Sequence, residues 1–181
     1  MKQPTNSVFP PTIFYSAQDS RACVPVLLET LQQAMADDAY WQPLLANFKV
    51  SKSNTIHLGV FIEPYLQLII EGKKTLESRF SINRTAPYCK VQNGDLLLLK
   101  RSGGPIVGIC QITHAWSYTL DATEWDTLKT QHAQALCIQS PAFWEEKKKA
   151  NYATLMKVRH VRVVEPAIPF VKSDRRGWLA L

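Results

Sequence analysis

The chain alternates between stretches of helical and of strand periodicity. From Val24 to Phe48 apolar residues recur three or four apart. Val26, Leu27, Leu31 and Met35 form one stripe; Tyr40, Trp41, Leu44, Leu45 and Phe48 form a second. This spacing predicts amphipathic helices, with Asp37 and Asp38 between the stripes to cap the second. At Ile56 the period changes to two, since Ile56, Leu58 and Val60 alternate with Thr55, His57 and Gly59. That is a strand pattern. Leu66, Ile69 and Ile70 then share one face of a short helix over residues 63–71, entered at Pro64 and closed by Gly72. A strand is expected over residues 75–80, followed by a loop from Ser81 to Asn93. Asn93-Gly94-Asp95 is a turn sequence, and DLLLLK after it reads as a buried strand over 95–100. Gly103-Gly104-Pro105 turns the chain into a long strand, 106–116, which Gly108 lets bend.

The second half opens on Asp121-x-x-Glu124, a capping box with Leu120 and Trp125 as its staple. Trp125, Leu128, His132 and Ala135 follow on one helical face. Ser140-Pro141 starts another helix, 142–150. A last strand, 155–164, is expected to break at Pro166 and Pro169, leaving a basic turn before Trp178. Residues 1–22, with Pro10 and Pro11, read as a draped tail. The pattern divides the α+β chain into a tail and helical extension over 1–54 and a β-rich domain over 55–181.

Composition narrows the class. Hydrophobic residues make up 46% and charged residues 20%, enough to build a core. No apolar run approaches the roughly 18 residues of a membrane helix. The first residues lack the apolar block of a secretory signal, so the expectation is a cytoplasmic protein that meets no membrane. Cys23, Cys89, Cys110 and Cys137 form no C-x-x-C pair, and His57, His114, His132 and His160 are isolated. No metal and no cofactor are expected; the thiols read as buried or half-buried. Basic and acidic residues cancel over 1–55, so the net charge of +6 lies in the remainder. A basic back suits a polyanion, or a solubilising surface. No G-x-S-x-G, H-E-x-x-H or P-loop is present.

The chemistry concentrates in IEGKKTLESRF, residues 70–80. In a strand Thr75, Glu77 and Arg79 share one face, and Leu76, Ser78 and Phe80 the other. A hydroxyl, a carboxylate and a guanidinium in line suit a polar pocket. Glu77 and Arg79 read either as a structural ion pair at a rim or as ligand-binding groups. In the second reading Glu77 accepts from a base edge or sugar hydroxyl, and Arg79 holds a phosphate or stacks on a base. Aromatics interleave with the basic residues; Tyr88, in one loop with Arg84 and Lys90, is the best stacking candidate. Lys157, Arg159 and Arg162, and Lys172, Arg175 and Arg176, could extend a basic face, while Lys147, Lys148 and Lys149 circle a helix as a solvated face.

Gly72, Lys74, Thr75, Glu77 and Arg79, followed by Gly94-Asp95 at the next strand, resemble the G-x-K-T-x-E-x-R and G-D signature of the ASCH domains, the activating-signal-cointegrator homology branch of the PUA-like barrels. The likeness runs from about Ile56 to about Val164. It implies a closed β-barrel of about five to six strands with flanking helices. It also implies a cleft for RNA or a nucleotide-like ligand, built from Lys74, Thr75, Glu77 and Arg79, with Arg84 and Tyr88 on a flap. Lys74 joins that set only if it sits in the turn before the strand. The alternative is a hydrolase of a modified nucleoside or RNA, with Lys74 and Glu77 as catalytic residues. The ASCH hydrolases that deacylate modified cytidine use a lysine, a second threonine and a distant glutamate. At those last two positions this chain resembles them least, with Glu77 and, near the third, Leu136. A further possibility is a protein partner bound through the N-terminal helices.

Overall fold

The computed structural model describes residues 9–51 and 54–181. The elements run β1 (Ile13–Tyr15), α1 (Val24–Ala34), α2 (Trp41–Asn47), β2 (Ile56–Phe61), α3 (Tyr65–Ile70), β3 (Leu76–Ser81) and β4 (Leu96–Arg101). They continue with β5 (Ile106–Thr119), α4 (Ala122–Leu136), α5 (Pro141–Lys147), β6 (Tyr152–Ile168), β7 (Phe170–Lys172) and β8 (Trp178–Ala180). Six strands form one curled half-barrel sheet in the order β3-β6-β5-β4-β2-β8. Only β2 and β4 pair in parallel; the other neighbours are antiparallel. The expected closed barrel is therefore not what the ladder draws: β3 and β8 are left as its two edges.

The continuous apolar run of β4 is explained by burial on both faces. Leu96 and Leu98 face a core shared with α1 and α2, in which Leu27, Leu31, Met35, Trp41 and Leu45 are buried. Leu97 and Leu99 face the inside of the curl, with Cys110, Ile112, Met156 and Val158. Helices α4 and α5 cover a third core against Leu76, Ala153 and Leu155. The N-terminal helices are also tied to the sheet by polar contacts. Asp38 caps α2 by accepting from the Tyr40 and Trp41 amides. The Tyr40 hydroxyl meets Gln111 Oε1 at 2.6 Å, and Trp41 Nε1 donates to the His160 carbonyl at 3.0 Å.

Four sequence expectations change. The tail contributes a strand, since β1 pairs with β7 in parallel. Strand β6 runs from Tyr152 to Ile168 and passes through Pro166. Successive register shifts set Ile106 against Ile168 but Gly108 against Val163, so the proline sits where β6 carries extra residues and needs no ladder amide. The C-terminal segment supplies β7 and β8. Cys89 is exposed. Among the described residues no helix is long and apolar enough to cross a membrane, and no cluster of candidate metal ligands occurs.

Candidate functional site

Helix α3 ends in a left-handed turn at Gly72, φ +71°, where a side chain would be strained. The Gly72 amide donates to Ile69 O and the Lys74 amide to Leu68 O, both at 2.9 Å. This turn points Lys74 inward, off the alternation of the strand that follows. Lys74 is buried, only 3% exposed. Its Nζ donates to Leu76 O at 2.7 Å and to Leu136 O at 3.1 Å, and lies 3.4 Å from Glu77 Oε2. An ammonium has three hydrogens, and three oxygens surround this one. Burial pushes Lys74 below the usual lysine value, while Glu77 pulls it back up.

Glu77 is 5% exposed and stands between two cations, with Oε1 2.9 Å from Arg79 Nε. That N–H is not aimed at an acceptor among the described residues, so the contact is an ion pair without a hydrogen bond. The Arg79 guanidinium reaches across the open side of the sheet. It donates to Val60 O at 3.1 Å and Gly177 O at 3.3 Å, and its centre lies 4.7 Å from the Phe61 ring and 5.2 Å from the Trp178 ring. Both edges of the half-barrel are thus joined by a side chain where a ladder would be. Gly59 makes room for this, because a Cβ there would fall 2.7 Å from Phe61 and 3.2 Å from Trp178. Trp178 is itself fixed. Its Nε1–H donates to His57 Nδ1 at 3.2 Å, which places the His57 proton on Nε2, facing Asp95 Oδ2 at 3.0 Å. Asp95 also accepts from the Thr55 and Gln92 amides, which gives the Gly94-Asp95 pair its structural role.

A cleft of about 260 Å³ opens between the end of β2 and β3, with α5 as its far wall. Glu77, Ser78, Arg79 and Phe80 line it, as do Phe61, Tyr65, Phe143 and Lys147. Residues from both faces of β3 reach it because β3 is an edge strand. Thr75 O accepts from Val158 N and Ser81 O from Asn151 N, both at 3.0 Å. Odd-numbered backbone groups therefore point to β6, and those of Ser78 and Phe80 point away from it, toward the cleft. The aromatic wall is built by Phe80, stacked on Trp125 with ring centroids 5.3 Å apart, and by Phe143, edge-on to both Phe80 and Tyr65. Lys74 and Arg79 flank the one carboxylate that lines the cleft, Glu77, and Lys147 stands on the opposite wall.

Of the sequence-derived candidates, Lys74, Glu77 and Arg79 come together here. Thr75 lies before β3 and does not line the cleft. Arg84 sits 5.4 Å from the Tyr152 ring, and the Tyr88 ring packs on the same tyrosine at 4.8 Å, so neither lines it. Trp178 is buried beneath Arg79. Lys172 and Arg176 are held by Asp174, and Arg162 by Asp38. Sequence reading named Tyr65 only as one of the aromatics interleaved with basic residues and Lys147 only as part of a solvated helix face, and it missed Phe143; the four-residue spacing of Phe143 and Lys147 on a helix was the available signal.

The ASCH domain family model matches residues 61–167. No curated protein matches the chain in sequence. Among solved structures, a mutant form of the ZmASCH protein from Zymomonas mobilis is similar, with TM-score 0.53 at 13% identity, covering 70% of this chain and 87% of that one. The ASCH protein from the same organism gives 0.49 at 15% identity, with 62% and 73% covered. The ASCH domain from Lactobacillus crispatus JV V101 gives 0.45 at 15%, with 75% and 92% covered. With the family model spanning more than half its length, from the end of β2 almost to the end of β6, the chain belongs to the ASCH domain family.

Proposed function

We propose that the cleft binds one nucleotide unit of RNA, or a nucleotide-like molecule, without chemical turnover. The carrying observation is the pair of buried Glu77 and half-buried Arg79, set beneath an aromatic wall beside an unpaired strand edge. Phe80, Phe143 and Tyr65 offer flat apolar surface for a base. Glu77 accepts hydrogen bonds, and the free edge at Ser78 presents an amide donor beside a carbonyl acceptor, the two elements of a base edge. Arg79 uses two of its five N–H groups on Val60 and Gly177, and keeps donors for a ligand. Lys147 at the mouth places a cation where a phosphate would lie. The volume falls just below the roughly 300 Å³ at which drug-sized pockets begin, a scale that suits one nucleotide.

Lys74 serves as a positioning residue in this reading. Its Nζ donates to Leu76 O and Leu136 O and lies in an ion pair with Glu77, so the amine is engaged by the fold on three sides. Leu136, near the position that the glutamate takes in the cytidine-deacylating ASCH hydrolases, offers Lys74 a backbone carbonyl. Thr75, Arg84 and Tyr88 drop out of the proposed contact set.

Calorimetric titration with the four ribonucleoside monophosphates tests the reading. At least one is expected to bind. Glu77→Gln, which keeps the shape and removes the charge, is expected to weaken it about tenfold, the weight of one hydrogen bond to a charged group. Binding unchanged in Glu77→Gln and in Phe143→Ala would sink the assignment. Release of product from an acylated cytidine, lost in Lys74→Ala, would replace it with hydrolysis.

A further inference from the structure

We infer that the ligand is a single-stranded nucleic acid running along the free edge of β3, and that the groove beyond the cleft is the track for the nucleotides flanking the bound one. The inference rests on the nucleotide reading of the cleft and extends it from one unit to a chain. A second depression, about 440 Å³, is lined by Phe80, Ile82, Asn83, Glu146, Lys147 and Lys149, among others. It shares Phe80 and Lys147 with the cleft, so the two form one path between β3 and the end of α5. Four residue steps of β3, Glu77 to Ser81, and the bend at Ile82 and Asn83 make that path at most about 20 Å long. It has room for up to about six nucleotides at the 3.4 Å rise of a stacked strand.

The lining of the groove suits such a chain. Lys149 forms no ion pair among the described residues, and stands just past the end of the helix that carries Lys147. Lys147 contacts Glu146 Oε1 at 2.6 Å, but that carboxylate is largely exposed, a pair of little weight. Cations therefore stand at the junction and along the far half, where successive phosphates would pass. Ile82 is 58% exposed, an apolar face at the far end on which an unpaired base can lie. The backbone of β3 is unpaired on this side, so donors and acceptors line the inner wall as well. A protein strand could also add to such an edge, but it would leave these cations unmatched, whereas a polyanion neutralises them.

The experiment is fluorescence anisotropy of the full chain with a labelled mixed-sequence hexaribonucleotide, its deoxy counterpart, and the unlabelled nucleoside monophosphates as competitors, at several salt concentrations. The hexanucleotide is expected to bind more tightly than any monophosphate. Lys149→Glu, an exposed position, is expected to weaken the hexanucleotide about fivefold and to lower its salt slope by about 0.7, leaving monophosphate binding unchanged. Arg21→Glu, the same charge change just before α1, is expected to alter neither. Preference for the ribo over the deoxy form assigns the chain to RNA; equal binding assigns it to single strands generally. Equal affinity for hexamer and monophosphate, or a salt slope untouched by Lys149→Glu, overturns the track while the cleft reading stands. Failure of both probes to bind overturns both readings.

Discussion

At the scale of single residues, the side chains that read as ligand-binding groups in isolation also hold the fold together. Lys74 is the clearest case. Its burial makes a pH signature. The folded chain holds Lys74 below the 10.5 of an ordinary lysine, so between those two values the unfolded chain binds more protons. Stability is therefore expected to rise with pH through that window, from the depressed value up to about 10.5. Urea unfolding of wild type and Lys74→Met across alkaline pH checks this: the variant's curve should be flatter there, and its stability at neutral pH lower by on the order of 3 kcal/mol, because Glu77 loses a buried partner. Parallel curves would show that Lys74 is not depressed. The identities of Lys74, Glu77 and Arg79 were legible in their spacing. Their commitments were not, because Leu136 O, Val60 O and Gly177 O are backbone atoms whose positions depend on where other elements end.

At the scale of elements, position follows from termini. The turn after α3 and the last carbonyl of α4 meet at Lys74, and the α4 terminus is itself left-handed at Cys137, φ 55°. Gly72 is the pivot of that meeting, with nothing within 4 Å of where its Cβ would be. Gly72→Ala is thus a test of conformation alone. It is expected to cost about 1 kcal/mol in urea unfolding, and a loss near zero would mean that the turn is not left-handed. Elements with clean periodicity, α1, α4 and β2, could be read from the chain, and β4 from its continuous apolar run. So could the start of α4, where Asp121 accepts from the Thr123 and Glu124 amides. The three-residue strands β1, β7 and β8 could not, since three residues carry no period and their partners lie far off in sequence. The length of β6 was hidden by Pro166, whose place among register shifts only the pairing with β5 reveals. The cleft was half legible for the same reason: one wall, β3, is local, while the other comes from α3 and α5.

At the scale of the molecule, the N-terminal helices and the sheet share one core. Five side chains from α1 and α2 and the turn between them, Leu27, Leu31, Met35, Trp41 and Leu45, are at most 2% exposed. At about 1.5–3 kcal/mol each, their burial amounts to on the order of the entire stability of a typical domain. A chain truncated before Ser51 is accordingly expected to lose its cooperative thermal transition and to bind a hydrophobic dye. A truncated chain that melts sharply near the wild-type temperature would show instead that residues 55–181 fold alone. A partner bound through these helices would have only their outer faces to use, where Val26 is exposed.

Trp178 sits where it can report on all of this. An indole 5.2 Å from a guanidinium emits in a field set by that charge, and the same guanidinium borders the cleft. Any occupant that draws on Arg79 changes the colour or brightness of this emission, and Trp178→Phe removes that part of the change, leaving the part from Trp125 and Trp144 behind Phe80 and Phe143, while Trp116, out on the surface, keeps its own. The molecule carries its own gauge of occupancy, readable in plain buffer without a label.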